Sequence, residues 1–332
     1  MALIDRFGRK HDYLRISVTD RCNLRCVYCM PPEGVPFVPH SEILSYEQIT
    51  EVVRVGAKLG IRRLRLTGGE PLVRKDIEKL VSQLAAIEGI EDIALTTNGI
   101  FLAKKAQALK EAGVTRINLS LDTMDPEKFA MVTRGGDVKR VLDALHTSIA
   151  VGFSPIKLNV VLMKGVNDNE VADFLKLSME HPIQVRFIEY MPIGHENDEW
   201  RTKYLPLTHV HTICDQLGVP YGPTDLVYGN GPAENFRFEG AKGSFGLIHP
   251  VSEHFCSNCN RLRLTADGFL KPCLYWDEEL NVKRALGDEE ALTQLFNKAL
   301  EVKPENHEMA NALNHEAKSH KPTTRRMSQI GG

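Results

Sequence analysis

Cys22, Cys26 and Cys29 stand within Asp20-Arg-Cys-Asn-Leu-Arg-Cys-Val-Tyr-Cys-Met30, a Cys-x3-Cys-x2-Cys run on one short loop that follows an apolar-patterned strand. Thiolates at this spacing can hold three irons of a four-iron cluster, and with no fourth cysteine nearby one iron stays open to a ligand that is not protein. An open iron is a site for chemistry. A zinc knuckle is the competing reading, but structural zinc prefers a closed set of four ligands and would have to borrow a distant one here. A second set follows at Cys256-Ser-Asn-Cys259 and Cys273, again without an obvious fourth ligand. Taken alone, this set suits zinc completed by His249 or His254 as well as it suits an iron–sulfur cluster. Two features favour the cluster: the chain already carries one such loop, and an extended Cys259-Asn-Arg-Leu-Arg263 puts Arg261 and Arg263 on the side of Cys259. An open iron lined by those cations can take a heteroaromatic nitrogen while the arginines hold attached phosphates. Cys214, in the amphipathic stretch Thr208 to Leu217, reads as a buried core thiol.

The elements that must position these residues alternate. Strand-like runs fall near Leu14 to Val18, Arg63 to Leu66, Asp92 to Thr96, Arg116 to Ser120, Ile156 to Leu162 and Val185 to Tyr190, with helical patterns between them. Ser45-Tyr-Glu-Gln48 reads as a capping box opening a helix that ends at Gly60, and Asn167-Asp-Asn-Glu170 as another; Gly113 and Gly152 sit where C-terminal caps belong. Repeated βα units imply parallel strands with right-handed crossovers, so the predicted fold is an α/β incomplete (β/α)6 TIM-like barrel, with a doubly wound sheet as the alternative. The rhythm breaks between about 192 and 220. Residues 1–200 are read as the barrel and residues 201–332 as an irregular C-terminal cap carrying the second cluster. In a barrel the loops after the strands carry chemistry, and here they hold the first cysteines, Thr67-Gly-Gly-Glu-Pro71, Thr96-Thr-Asn-Gly99 and Ser120-Leu-Asp122.

Composition narrows the partners. With 41 basic and 43 acidic side chains in 332 residues the net charge is −2, which gives no electrostatic case for nucleic acid or a membrane surface. No apolar run suits a signal peptide or a membrane span, so a cytoplasmic enzyme with a small partner is expected, its clustered cysteines binding metal rather than forming disulfides.

Cations occur where a barrel should be dry. Arg15 shares a strand face with Ser17, Arg65 with Arg63 and Thr67, Lys157 with Asn159, and Arg186 with Ile188. A charge in a strand covered on both sides needs a partner, either a salt bridge to a residue such as Glu70, Asp122 or Glu189, or an anionic ligand. The excess of arginine, whose planar fork matches phosphate oxygens, favours a polyphosphate.

The first cysteine loop, with Tyr28 ahead of its last thiol and Gly68-Gly69-Glu70-Pro71 one strand later, resembles the radical S-adenosylmethionine enzymes. Adding the second triad with Asn260-Arg-Leu-Arg263 inside it and the terminal Gly331-Gly332, the chain from about Asp12 onward resembles the GTP 3',8-cyclase (molybdenum cofactor biosynthesis protein A) family among them. The resemblance implies two [4Fe-4S] clusters, one on Cys22, Cys26 and Cys29 and one on Cys256, Cys259 and Cys273, with S-adenosylmethionine contacted by Tyr28, Gly69, Ser120 and Met191. It implies GTP bound by Arg15, Arg65, Thr96, Lys157, Arg186, Arg261, Leu262 and Arg263, and catalytic roles for the first triad, Arg261 and Arg263. The implied reaction is a lyase-type cyclisation in which a 5'-deoxyadenosyl radical takes the ribose C3' hydrogen and a C3'–C8 bond forms. Implied partners are a low-potential electron donor of flavodoxin or ferredoxin type and, by product hand-off, a downstream cyclic pyranopterin monophosphate synthase; the protein itself would be a monomer or homodimer. The rival readings are a radical peptide or sulfatase maturase, and a non-catalytic iron–sulfur or zinc protein. Finally, the tail Thr323-Thr-Arg-Arg-Met-Ser-Gln-Ile-Gly-Gly332 is expected to enter the barrel mouth, with Arg325 and Arg326 adding cations near the polyphosphate.

Overall fold

The structure, a computed structural model, describes residues 2–193, 199–225, 231–253, 255–310 and 321–331. Six βα-type repeats build its centre: β1 (Tyr13–Ser17), α1 (Tyr46–Lys58), β2 (Arg63–Thr67), α2 (Ile77–Ala85), β3 (Asp92–Thr97), α3 (Leu102–Ala112), β4 (Arg116–Ser120), α4 (Pro126–Thr133), α5 (Val138–Val151), β5 (Ile156–Leu162), α6 (Val171–Glu180) and β6 (Ile183–Glu189). The predicted strands are these six, displaced by at most two residues at their ends. Ser45 caps α1, its hydroxyl accepting from the Gln48 backbone amide while the Ser45 backbone N–H donates to Gln48 Oε1. That helix ends at Lys58, two residues before Gly60. Gly113 and Gly152 occupy the left-handed cap positions of α3 and α5. The Asn167 capping box does not form; the Asn167 amide instead donates to the carbonyls of Asp122 and Val161, tying two strand-end loops together before a 3-10 turn leads into α6.

After β6 the chain adds α7 (Glu199–Lys203), α8 (Thr208–Leu217), β7 (Tyr221–Pro223), β8 (Glu234–Phe238), β9 (Ser244–Ile248), β10 (Arg261–Leu264), β11 (Phe269–Lys271), β12 (Leu280–Asn281) and α9 (Glu289–Glu301). These strands join the same sheet, in the order β12-β11-β10-β1-β2-β3-β4-β5-β6-β9-β8-β7. The region read as an irregular cap therefore extends both edges of the barrel sheet. β10 runs parallel to β1 and β9 parallel to β6, and antiparallel hairpins finish each side. Strands of two to five residues without intervening helices carry too little periodicity to be read in sequence.

Leu14, Ile16, Leu64, Leu66, Leu95, Ile117, Leu119, Leu158 and Val160 point from the strands toward the helices and are buried. Burial of each such side chain contributes about 1.5–3 kcal/mol, and strand alternation then sends their polar neighbours into the lumen. Among the described residues no helix is long and apolar enough to cross a membrane.

Candidate functional site

Register sets the lumen's charge. Arg15 lies beside Arg65 on β2 and beside Arg263 on β10, three cations on adjacent parallel strands. Neighbouring strands are about 4.8 Å apart, so these side chains crowd one another unless an anion lies among them. Arg15 and Arg65 each have a buried Nε without a hydrogen-bond partner, and burial, reinforced by the neighbouring arginines in the case of Arg15, pushes both guanidinium pKa values down. Lys157, 2 % exposed, is brought down to about 5 by burial and by the charges of Arg186, Arg65 and Arg116. Arg186 is lowered to about 9 by burial and Arg65, and among the described residues it donates to the neutral amides of Asn118 and Asn159.

The carboxylates considered as internal partners are engaged elsewhere. Glu70 accepts from Thr97 Oγ1 and from the amides of Asn98 and Leu72; Asp122 accepts from Tyr28 and Val161; Glu189 accepts from Tyr204 and from the amides of Val251 and Ser252. Arg116, by contrast, is paired with Asp92, and Arg63 with Asp12. Arg15, Arg65, Arg186, Arg261, Arg263, Thr96 and Asn159 line one cavity of about 720 Å³ including its mouth. Thr96 Oγ1 is buried and unpartnered there. Leu262 faces the other way: it is fully buried in the apolar core, so this residue reaches the lumen through its main chain only. Two lumen residues escaped the sequence reading. Tyr13 shares the β1 face of Arg15, stacks under the Arg65 guanidinium at 5.5 Å and has a buried hydroxyl without a partner; Asn118 holds Arg186. Their positions at i−2 from Arg15 and in the middle of β4 were the available signals.

The first triad sits at the C-terminal end of β1. Burial raises Cys22 to about 11, Cys29 to about 12 and Cys26 well above its usual value, with the neighbouring sulfurs adding to the rise at Cys26 and Cys29, so as thiols they are neutral and release protons on binding metal. Tyr28 Oη donates to Asp122 Oδ2 at 2.7 Å, and burial lifts Asp122 to about 6. Ser120 lies beside Asn159 in register, toward the same end of the sheet. Gly69 has a further role that its motif did not announce: its amide donates to Thr19 O at 2.7 Å, and a Cβ there would overlap the carbonyl groups of Asp20 and Arg21. The Gly-Gly segment is thus packed directly on the backbone that leads into the cysteine loop. Gly69→Ala is expected to lower folding stability by about 1–3 kcal/mol, the usual cost of overpacking, read from denaturant midpoints; an unchanged midpoint would remove this contact from the account.

Cys256, Cys259 and Cys273 line a second cavity, about 480 Å³, together with Arg261, Arg263, Lys303 and His307. Met191 and Phe255 line both cavities, so the two sites adjoin. Burial would raise Cys259, but Arg261 and Lys303 outweigh it and hold the thiol down at about 6, whereas burial raises Cys256 to about 11. His249 is turned toward Glu189 and Glu234 and does not line the cysteine cavity; His254 lies outside the described residues. Among the described residues no three His, Cys, Asp or Glu side chains converge as they would on a single ion. The three thiols line one cavity together with cations, and a set of three thiolates is the donor chemistry that an iron–sulfur cluster takes.

The tail packs against the lumen. Met327 lines the cation cavity, Ser328 lies against Cys29, and Gly331 O accepts from Arg263 Nη1 at 2.5 Å. Arg325 is not offered to a ligand as expected: it forms ion pairs with Asp267 and Glu279 at 2.9 and 2.8 Å and so anchors the tail to the turn before β11 and to the segment leading into β12. Gly332 lies outside the described residues.

Comparison with known proteins adds three findings. The Radical SAM superfamily profile matches residues 16–178, and the profile described as Molybdenum Cofactor Synthesis C matches residues 183–309. The chain is 58 % identical to a GTP 3',8-cyclase of Listeria monocytogenes over 99 % of both chains, and 52 % identical to a GTP 3',8-cyclase of Limosilactobacillus fermentum over 99 % of both. The crystal structure of Streptococcus suis SuiB bound to S-adenosylmethionine is similar in fold, with a TM-score of 0.59 at 16 % identity over 88 % of this chain and 69 % of that one.

Proposed function

Since this chain belongs to the GTP 3',8-cyclase family of the radical S-adenosylmethionine superfamily, we propose that its lumen binds GTP with the triphosphate across Arg15, Arg65, Lys157 and Arg186 and the base toward the second triad. The reaction is conversion of GTP to 3',8-cyclo-7,8-dihydro-GTP, the first step of molybdenum cofactor biosynthesis. The observation that carries the residue assignments is that Arg15, Arg65 and Arg186, without a carboxylate partner among the described residues, line a cavity that adjoins Cys256, Cys259 and Cys273, with the buried Lys157 on the neighbouring strand β5.

Cys22, Cys26 and Cys29 would hold a [4Fe-4S] cluster, and Tyr28, Gly69, Ser120 and Met191 would surround S-adenosylmethionine. When bound, these groups would supply the radical chemistry that removes the ribose C3' hydrogen. Cys256, Cys259 and Cys273 would hold a second [4Fe-4S] cluster, with Arg261 and Arg263 beside the bound base. The chain's share is geometric: cations fix the triphosphate, the strand ends and tail exclude water, and C3' is kept beside the first site. Such positioning can supply roughly 7–11 kcal/mol of a barrier at best. An electron donor of flavodoxin or ferredoxin type and hand-off to cyclic pyranopterin monophosphate synthase complete the proposal, for a monomer or homodimer acting in the cytoplasm. The maturase and carrier readings lose their basis, because near-full-length relatives are GTP 3',8-cyclases while the likeness to SuiB is one of fold.

The test is anaerobic reconstitution followed by reaction with 3'-deuterated GTP. Deuterium should appear in 5'-deoxyadenosine together with cyclised product, at about eight irons per chain. Deoxyadenosine without deuterium, or about four irons and one zinc, would overturn the substrate pose or the second cluster respectively.

Lys157 gives a pH signature. With its pKa near 5 the free protein carries a neutral amine at pH 8, and a triphosphate alongside favours the ammonium. GTP binding should therefore take up close to one proton at pH 8, and affinity should fall as pH rises from about 7 toward 10, above the phosphate titration near 6. Calorimetry in buffers of different ionisation enthalpy reads the uptake. Lys157→Met should abolish it; uptake that survives this substitution would assign the proton elsewhere. Without GTP the sign reverses, because the unfolded chain binds the extra proton between pH 5 and 10.5, and stability rises with pH across that range.

A further inference from the structure

The main chain around all three second-triad cysteines is held by two buried cations from outside the cysteine loops. Residues Leu3 to His11 form a hairpin closed by the Ile4–Lys10 bridge and the bond from His11 N to Leu3 O at 2.8 Å. Its turn is organised by one carboxylate. Asp5 Oδ1 accepts from the amides of Phe7 and Arg9, while Asp5 Oδ2 accepts from Arg9 Nε at 2.6 Å and faces His11 Nε2 at 3.0 Å. The oriented Arg9 guanidinium then donates to Cys256 O at 2.8 Å, Glu305 O at 2.5 Å and Pro304 O at 2.7 Å. The neighbouring Lys303, 3 % exposed, donates from Nζ to Arg261 O at 3.0 Å and to Pro272 O. Those carbonyls lie two residues after Cys259 and one before Cys273.

We propose that the N-terminal hairpin, through Arg9, and Lys303 form a latch that fixes the positions of Cys256, Cys259 and Cys273 and makes Arg9 and Lys303 positioning residues for the metal group bound there. Two physical arguments carry it. Loops separated by 247, 42 and 31 residues from the cations that bind them cannot hold three sulfurs in a common geometry by local turns alone. Charge is the second. Arg9 and Lys303 are both buried, and among the described residues Asp5 is the one carboxylate paired with either. A buried cation without a counter-charge is costly, and three metal-bound thiolates beside Lys303 bring the missing negative charge. Outer residues that fix ligands in this way typically govern metal retention by about 10–100-fold.

The inference rests on the proposed second cluster, so the test separates the two. The full chain with Cys22, Cys26 and Cys29 replaced by Ala is reconstituted anaerobically, and iron then reports the second triad alone. Into this parent are placed Lys303→Met, Lys303→Arg and Arg9→Met. A ferrous chelator should strip iron at least about tenfold faster from the two Met variants, Lys303→Arg should recover most of the retention, and the reduced cluster's electron paramagnetic resonance signal should shift in the Met variants. If the parent itself takes up no four-iron cluster, the second-cluster reading fails. If the parent holds four irons and both Met variants keep them at the parent's rate, the latch is wrong. Faster loss that Lys303→Arg does not recover, accompanied by an equally lowered unfolding temperature of the metal-free chain, also overturns it, since that pattern marks general damage to the fold.

Discussion

Removal of Gly331 and Gly332 should abolish cyclised product while S-adenosylmethionine is still cleaved slowly and iron content is unchanged. The expectation rests on where the tail lies. Gly331 has φ +68°, and a Cβ on it would come within 2.6 Å of Thr67 Cγ2 and 3.4 Å of Ser17 Cβ, at the ends of β1 and β2 where the barrel presents its chemistry. Its carbonyl occupies Arg263 Nη1, and Ser328 lies against Cys29, so the last residues pass from the first triad to the row of cations. A misplacement of about 1 Å in such a site costs roughly 100-fold, and losing the segment should cost at least that in cyclisation. Gly331→Ala should be impaired to a lesser degree, from both the left-handed backbone and the Thr67 overlap. The readout is the ratio of cyclised product to 5'-deoxyadenosine. A truncated protein with full cyclase activity would reduce the tail to an ordinary packed terminus.

Arg65→Met and Arg15→Met should move two measurements in opposite directions. Each removes a cation whose Nε is buried without a hydrogen-bond partner and which has no carboxylate partner among the described residues, so metal-free, nucleotide-free protein should become more stable, by about 1–4 kcal/mol on the precedent of buried charges replaced by apolar side chains. GTP binding should weaken by about 2–5 kcal/mol, the usual cost of truncating one partner of a desolvated charge contact. Arg116→Met provides the contrast: its guanidinium is paired with Asp92, so its loss leaves a carboxylate behind and should destabilise the protein. Urea titration and equilibrium GTP binding together decide the matter. A destabilised Arg65→Met protein would mean that Arg65 is part of the packing and not a cation waiting for an anion.

Much of this site could be read in the chain because its signals are local. The first cysteine loop, Gly68-Gly69-Glu70-Pro71 and Cys256-Ser-Asn-Cys259 are each set by a few consecutive residues, and strand alternation put Arg15, Arg65, Lys157 and Arg186 into the lumen before any neighbour was known. Alternation also turns the Leu262 side chain into the core between its two flanking arginines, which leaves its main chain as the part that reaches the lumen. Arg325 was misread because a cation close to a binding site in sequence says nothing about which carboxylate lies across the fold, and Asp267 and Glu279 claimed it.

By itself the sequence determined the six central βα repeats, the two thiolate sets and the presence of buried cations, since periodicity and ligand spacing are properties of neighbouring residues. Tertiary structure decided the rest. Only the sheet register could place Arg263, Arg15 and Arg65 side by side, and only the addition of β9 and β10 to the edges of the sheet could set the second triad against the lumen. The contacts from Arg9 to Cys256 and from Gly331 to Arg263 span 247 and 68 residues. They form because the folded backbone brings unsatisfied buried donors and carbonyls together, and no pattern within a short window encodes which of them will meet.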